Sequence, residues 1–253
     1  YLYGVEASTQ GLVLVMEIMP RGSLGDVLRL SAPPSVETVA DWGIDLTEGM
    51  AAAADQGLIH RDIKPSNCFL ATDGTAKIGD FGLAISQSTI QQSGLFAGTP
   101  VYSSPEQLRG EKVDERSDIY SLGCTLYELL VGRPPFRAYD YRQLLTIIEK
   151  TSPDPISTWR PECPHQLESV LLKAMKPQPA DRHQSFRDFQ QAIRTAIPWI
   201  NVAELSWVPR VMTNVAEGLL VGGAFLSVMP RLHMSLGNAA TLSALLWPLY
   251  CMV

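Results

Sequence analysis

Four polar side chains that lie close together in the sequence have the chemistry that moves a phosphoryl group. Asp62 and Lys64 are two positions apart, Asn67 follows after three more, and Asp80 stands thirteen positions beyond Asn67. A carboxylate can orient a hydroxyl and accept its proton, and a compact ammonium can reach a phosphoryl oxygen. Amide and carboxylate oxygens are hard ligands of the type that magnesium prefers. Since phosphoryl transfer depends mainly on positioning and charge neutralisation, these residues predict magnesium-dependent phosphoryl transfer.

These residues belong to two longer motifs. The first reads His60-Arg61-Asp62-Ile63-Lys64-Pro65-Ser66-Asn67, and the second reads Asp80-Phe81-Gly82. Alone, an Asp-x-Lys is usually a surface pair and Asp-Phe-Gly a common turn, but in this order they resemble the catalytic loop and the D-F-G of protein kinases. Lys64 resembles the serine/threonine-specific form of the loop. The resemblance implies a serine/threonine protein kinase, closest in its linkers to bacterial members, that uses ATP and Mg²⁺.

The region that follows resembles a protein kinase activation segment, which indicates a protein substrate. Residues 98–106 close it with Gly-Thr-Pro-Val-Tyr-Ser-Ser-Pro-Glu, in which Ser104 replaces the family's usual alanine. Small-molecule kinases share the Asp, the Asn and the magnesium-binding Asp but lack this segment. Arg61 resembles an arginine that pairs with a phosphate added to the segment, so we expect phosphorylation there. A polar loop without a phosphosite is the alternative reading of its hydroxyl cluster, which comprises Ser86, Ser88, Thr89 and Ser93.

The resemblance also assigns roles residue by residue. Asp62 would act on the substrate hydroxyl and Lys64 on the transferring phosphoryl group, while Thr99 would hydrogen-bond both. Asn67, also counted as catalytic, and Asp80 would hold magnesium. The residues assigned to ATP comprise the gatekeeper Met16, the hinge backbone at Glu17 and Met19, and the side chains of Lys64, Asn67, Phe69 and Asp80.

Other matching residues are expected to be structural. His60 and Phe81, with Leu2, resemble an internal packing column. Asp118 resembles a buried aspartate that holds the catalytic-loop backbone. A buried ion pair is expected between Glu106 and Arg182.

The secondary-structure pattern predicts an α+β fold that is predominantly α. Two apolar runs, Tyr1–Val5 and Leu12–Ile18, flank a turn at residues 8–11 and predict a hairpin, which resembles a remnant of a kinase small lobe. Helices are predicted at about 23–30, 35–57, 117–131, 141–150, 165–176 and 185–196. The expected domains are small-lobe strands and hinge (1–22), a kinase large lobe (23–197) and a hydrophobic helical tail (198–253).

Two features of the family are missing from this sequence. Neither a G-x-G-x-x-G nor a V-A-I-K lysine precedes the catalytic loop, and no lysine occurs before Lys64. We therefore expect the chain to be an N-terminally truncated fragment that is inactive alone. A pseudokinase or scaffold that uses the lobe as a docking surface is the alternative, against which the intact Asp62, Lys64, Asn67 and Asp80 argue.

Composition narrows the remaining classes. The 253 residues are 46% hydrophobic and 18% charged, which favours a folded chain, and the net charge of −6 offers no basic stripe for nucleic acid. Four well-separated cysteines without a C-x-x-C favour buried thiols in a reducing compartment, so we expect a cytoplasmic kinase lobe.

After Ile197 charged residues become scarce, and Leu236–Val253 contains none. This tail predicts membrane attachment, with a soluble helical extension as the alternative.

Overall fold

The computed structural model describes residues 2–8, 11–30, 32–81, 85–86 and 100–197. Within these residues the chain forms seven α-helices and three two-stranded antiparallel sheets. The predicted fold class, predominantly helical with a small hairpin, is confirmed. The tail, residues 198–253, lies outside the described residues, so the prediction that it is helical and membrane-bound stays a prediction. None of the helices in the described part is long and apolar enough to cross a membrane.

A two-stranded hairpin begins the chain. Strand β1 (Leu2–Ser8) pairs with β2 (Gly11–Met16), and the register runs from Gly4 opposite Val15 to Ser8 opposite Gly11. Both strand ends differ from the prediction, because β1 continues past Val5 and β2 stops before Ile18. Backbone pairing across the hairpin keeps residues 6–8 extended, although these residues form strands only weakly. The run of apolar residues in the sequence does not reveal this pairing.

The first two helices follow the hinge. Helix α1 spans Leu24–Leu30 and helix α2 spans Val36–Asp55. The Ser35 hydroxyl caps α2 by accepting a hydrogen bond from the Thr38 amide at 3.1 Å. The helix ends where Gly57 takes a φ of +68°, a left-handed conformation that suits glycine. Both ends match the Ser35 start and Gly57 stop that the sequence predicts.

Five more helices complete the lobe: α3 (Pro105–Leu108), α4 (Glu115–Val131), α5 (Tyr141–Lys150), α6 (His165–Ala174) and α7 (Phe186–Ala196). Side chains of Asp114, Asp140 and Ser185 cap the starts of α4, α5 and α7. Because Asp114 supplies a cap, α4 starts two residues before the predicted Ser117. Helix α6 ends at Ala174 rather than at the predicted Lys176.

The core lies around α2 and α4. Helix α2 packs against α7 and α4, and α4 packs against α6. Side chains that are fully buried between them include Leu46, Met50, Tyr120, Leu122 and Phe189. The thiols of Cys68, Cys124 and Cys163 are free and buried, as predicted, while Cys251 lies outside the described residues.

Two very short sheets support the loops that carry the chemistry. Strand β3 (Leu58–Ile59) pairs with β6 (Ile85–Ser86), and β4 (Cys68–Leu70) pairs with β5 (Ala76–Ile78). The loop from His60 to Asn67 connects β3 to β4 and ends in a 3-10 turn at Pro65–Asn67. Asp80 follows β5 directly after Gly79, so the predicted residues Asp62, Lys64 and Asn67 lie in the loop between two strands and Asp80 lies just after a third.

Candidate active site

The catalytic loop is held by a buried carboxylate from helix α4. Asp118 is fully buried, and its two oxygens accept hydrogen bonds from the backbone amides of His60 at 2.7 Å and Arg61 at 2.8 Å. Arg61 has a φ of +70°, which is unfavourable for a residue with a side chain. The Asp118 contacts compensate for that strain, so its predicted structural role is confirmed. Burial raises the pKa of Asp118 to about 7, against the effect of the two amides.

Two side chains converge on Asp62. The Lys64 ammonium donates to Asp62 Oδ2 at 2.7 Å, and the Asn67 amide donates to the same oxygen at 3.1 Å. Asn67 also donates to the Asp62 carbonyl at 2.9 Å, which fixes its amide nitrogen toward Asp62. The Asp62 and Lys64 side chains are only 12% and 22% exposed. Three of the four residues predicted from spacing therefore form one hydrogen-bonded cluster.

His60 links the catalytic loop to the strand that precedes Asp80. Its Nδ1 accepts a hydrogen bond from the Asp62 backbone amide at 3.3 Å, so the ring proton is assigned to Nε2. Nε2 then donates a hydrogen bond to the Gly79 carbonyl at 3.0 Å. Burial is the main influence that lowers the pKa of His60, which favours this neutral form. The His60 and Phe81 rings lie 4.6 Å apart, so the predicted packing contact is confirmed for this pair. The side chain of Leu2 lies outside the described residues.

Asp80 sits in a left-handed backbone conformation at the end of β5. Its φ is +58° and its side chain is exposed. The preceding Gly79 donates its amide to the Asn67 carbonyl at 2.9 Å, which ties the two predicted metal ligands to neighbouring strand ends. A methyl group built on Gly79 would lie 2.8 Å from the Phe69 ring, so glycine here allows that ring to approach the strand.

The predicted hinge lies beside Phe69. The Leu70 amide donates to the Gly22 carbonyl at 2.9 Å, and Ser23 forms a β-bridge with Phe69. Met16 is 61% exposed, and Glu17 and Met19 are partly buried. The structure thus brings the residues just after the predicted hinge together with Phe69 and Leu70, while the contacts of the hinge and Phe69 with ATP stay predictions.

An ion pair anchors the end of the activation segment. The Arg182 guanidinium binds both Glu106 oxygens, at 2.7 and 2.8 Å, and both side chains are buried. The Ser117 hydroxyl donates to Glu106 at 2.6 Å. The predicted Glu106–Arg182 pair is confirmed.

The role of Ser104 was not predicted from the sequence, in which it stands only as a small replacement for alanine. Ser104 and Gln107 cap helix α3 reciprocally, and the Gln107 amide donates to the Arg61 carbonyl at 3.0 Å. The Ser-x-x-Gln spacing of a capping box was the signal available in the sequence. A second contact had no such signal, because Tyr102 donates to Glu128, 26 residues away, at 2.6 Å.

Several predicted residues lie outside the described part of the chain. Thr99 and Gly82 are among them, as are Ser88, Thr89 and Ser93. For Ser86 only the backbone, in β6, is described. The predicted contact of Thr99 with Asp62 and Lys64 therefore stays a prediction.

A helical lobe with this catalytic loop, an Asp-Phe-Gly after a short hairpin and a buried Glu–Arg pair defines the large lobe of a protein kinase. The family model for the protein kinase domain matches residues 1–196, and the chain belongs to that family.

Among curated proteins, the chain is 32% identical over 222 residues to serine/threonine-protein kinase PknB of Mycobacterium leprae, covering 86% of this chain and 35% of that protein. It is 38% identical over 184 residues to a probable serine/threonine-protein kinase of Corynebacterium efficiens, covering 68% and 27%. A probable serine/threonine-protein kinase of Streptomyces coelicolor is 34% identical over 188 residues, covering 73% and 28%. The chain thus spans about a third or less of the length of these relatives.

Proposed function

We propose that the whole protein containing this chain transfers the γ-phosphoryl group of Mg-ATP to serine or threonine hydroxyls of protein substrates. The observation that carries the proposal is the convergence of Lys64 and Asn67 on one oxygen of Asp62. This arrangement holds a carboxylate and an ammonium side by side in a partly buried loop. A scaffold has no use for such a cluster, which supports an enzyme over the docking alternative.

Asp62 and Lys64 act on different reacting groups. The Asp62 carboxylate orients the substrate hydroxyl and accepts its proton, while the Lys64 ammonium neutralises charge on the transferring phosphoryl oxygens. Their 2.7 Å contact keeps the two groups at a fixed separation, so that the hydroxyl and the phosphoryl group are brought together.

The residues present fit magnesium. Because the Asn67 amide nitrogen points to Asp62, its carbonyl oxygen is directed elsewhere and can bind a cation, and the exposed Asp80 carboxylate offers a second oxygen ligand. The described residues contain no group of three or more His, Cys, Asp or Glu that could hold a metal. Two protein oxygens suit Mg²⁺, which typically keeps waters and binds substrate phosphates. Bound Mg²⁺ would neutralise phosphate charge, and Asn67 and Asp80 would hold it.

Two substitutions in the whole protein test this assignment. Asp62→Asn should lower kcat by about 10²–10⁴-fold and leave ATP affinity nearly unchanged, since Asp62 acts on the hydroxyl. Asp80→Ala should weaken Mg-ATP binding as well, since Asp80 holds the metal. Phosphorylation rates and calorimetric titration with Mg-ATP measure both effects. Equal losses of nucleotide affinity would contradict the division of roles, and a wild-type protein without phosphotransfer would support the scaffold.

We also propose that a phosphate added within residues 82–99 pairs with Arg61. The Arg61 backbone is fixed by Asp118 and Gln107, so its side chain starts from a defined point of the loop, next to Asp62 in the sequence. An arginine can bind phosphate through two hydrogen bonds and so order the segment. Mass spectrometry should find the phosphosite, and Arg61→Gln should abolish the activation that phosphorylation causes while leaving basal turnover measurable. Equal activation of the variant would refute the pairing.

We propose, finally, that residues 198–253 attach the protein to a membrane with the kinase lobe on the cytoplasmic side. The scarcity of charge after Arg194 and the uncharged stretch Leu236–Val253 support this. Residues 1–197 should be soluble, whereas the 253-residue chain should float with lipid vesicles. A full chain that is monodisperse in plain buffer and does not float would show that the tail is a soluble extension.

A further inference from the structure

Residues 17–23, which comprise the predicted hinge and the turn that follows it and are called the hinge segment below, are attached to the β4–β5 hairpin by contacts at both ends. At one end, Lys77 Nζ donates to both carboxylate oxygens of Glu17 at 2.9 Å. At the other end lie the Gly22–Leu70 backbone hydrogen bond and the Ser23–Phe69 bridge. The backbone contacts fix the end near α1, and the Glu17–Lys77 ion pair helps to fix the end near β2.

Lys77 lies on the hairpin next to two of the residues that are predicted to bind Mg-ATP. It is the cross-strand partner of Phe69, so the two side chains lie on the same face of the hairpin. Three residues after Lys77 comes Asp80. A single two-stranded hairpin therefore carries the predicted adenine-contacting ring, the predicted metal ligand and the lysine that holds the hinge.

The Glu17–Lys77 ion pair is less exposed to solvent than a typical surface ion pair. The two side chains are 23% and 29% exposed, and the lysine binds both oxygens of the carboxylate. The Lys77 hydrogen bond is the first cause that lowers the pKa of Glu17, so the carboxylate is ionised at neutral pH. The residues are 60 positions apart in the sequence, so the pair joins two separate segments of the chain rather than neighbours.

We propose that Lys77 is a positioning residue for ATP: by holding the Glu17 carboxylate, it fixes the hinge backbone at the distance from Phe69 at which adenine binds. The inference rests on the proposed function and deepens it. Lys77 need not touch the nucleotide, because a hinge that is already ordered saves the free energy of ordering it when ATP binds. The pair should therefore act on ATP affinity and leave the chemical step alone.

The first test is Lys77→Gln in the whole protein. KM for ATP and the Kd of a fluorescent ATP analogue should rise about two- to fivefold, the range expected for a partly exposed ion pair, with kcat within about twofold of wild type. A merely destabilising substitution would lower the active fraction, and hence kcat, without raising KM. Added salt should raise the wild-type KM toward that of the variant, because salt screens the pair. Arg187→Gln, which removes an exposed ion pair with Asp55, is the matched control and should leave KM unchanged.

A double-mutant cycle tests whether Lys77 acts through Glu17. Glu17→Gln alone should raise KM as Lys77→Gln does, and the double variant should add nothing further. The exchanged pair Glu17→Lys with Lys77→Glu should recover part of the lost affinity. Additive effects, or an unchanged KM in Lys77→Gln, would overturn the positioning role while an active wild type preserves the proposed function. A wild type that neither binds ATP nor phosphorylates would overturn both.

Discussion

Replacing Arg182 by methionine should destabilise the kinase lobe more than almost any other single change. All five N–H donors of its guanidinium are used: two bind Glu106, and three bind the backbone carbonyls of Arg116, Lys176 and Pro177. The side chain is fully buried. Methionine fills similar volume but supplies no donor, so the buried Glu106 carboxylate keeps only the Ser117 hydroxyl as a side-chain donor, and three carbonyls lose their hydrogen bond from Arg182.

The expected magnitude follows from this geometry. Breaking a buried ion pair by removing one partner costs about 3–5 kcal/mol, and the loss of three further hydrogen bonds to carbonyls places Arg182→Met in the upper half of that range. For a lobe of about 200 residues, the melting temperature should fall by about 8–20 °C. Thermal and urea unfolding of the 253-residue chain at pH 7 measure both quantities.

The double variant Glu106→Gln with Arg182→Met separates the cost of an unpaired charge from the cost of lost packing. It removes the buried carboxylate that Arg182→Met leaves without a counter-charge, so it should be less destabilised than the sum of the single variants. Arg187→Met is the control, because that arginine and its partner Asp55 are exposed, and its melting temperature should match wild type. A loss below about 1 kcal/mol for Arg182→Met would refute the reasoning, since such a value is typical of surface pairs.

Low pH should reduce the contribution of the Glu106–Arg182 ion pair to the free energy of unfolding. Burial is the largest influence on Glu106 and opposes its ionisation, but the Arg182 hydrogen bonds and charge, with the Ser117 hydroxyl, outweigh it and hold the pKa below the ordinary value of 4.5. The contribution is therefore present above pH 4.5 and is lost as the pH falls through the folded-state pKa. The stability difference between wild type and Glu106→Gln should accordingly narrow in acid.

Two further substitutions probe the loop and the nucleotide pocket. Asp118→Asn has one acceptor oxygen for the two amides of His60 and Arg61, so it should cost about 1–3 kcal/mol in urea unfolding and lower turnover of the whole protein. Gly79→Ala places a methyl group against the Phe69 ring and should raise the Kd of a fluorescent ATP analogue, because the ring must move.

Matched variants control for each change. Gly49→Ala lies in helix α2, where an added methyl group meets only Ile78 at 3.9 Å, and it should leave nucleotide affinity unchanged. Phe69→Leu in the Gly79→Ala background should restore part of the affinity by making room. Unchanged binding by Gly79→Ala would show that the Phe69 ring does not define the pocket. For Asp118→Asn, wild-type stability would show that the loop amides need no carboxylate.

Sequence patterns predicted what depends on local chemistry. The Ser35 start and Gly57 stop of α2 and the full span of α5 were predicted correctly, because caps and apolar periodicity act within a few residues. The Asp118 and Glu106–Arg182 contacts were predicted through family resemblance, since their partners lie 58 and 76 positions apart.

Other contacts had no local signal. Glu17 and Lys77 are ordinary charged residues in the sequence, and only the fold brings them together across 60 positions. The left-handed conformation of Arg61 is likewise invisible, since nothing about an arginine predicts a positive φ. These features arise from tertiary packing, which overrides local preference at the site.

The dependence of the catalytic loop on Asp118 sets an order of events during synthesis. The loop is made 58 residues before the carboxylate that holds it, and that carboxylate is presented by helix α4. When His60 and Arg61 have left the ribosome but α4 has not, Asp118 cannot yet accept hydrogen bonds from their amides. The strained backbone of Arg61 then lacks the contact that stabilises it. The loop conformation that positions Asp62 is therefore reached only once α4 has docked, so the candidate active site is a late product of chain synthesis.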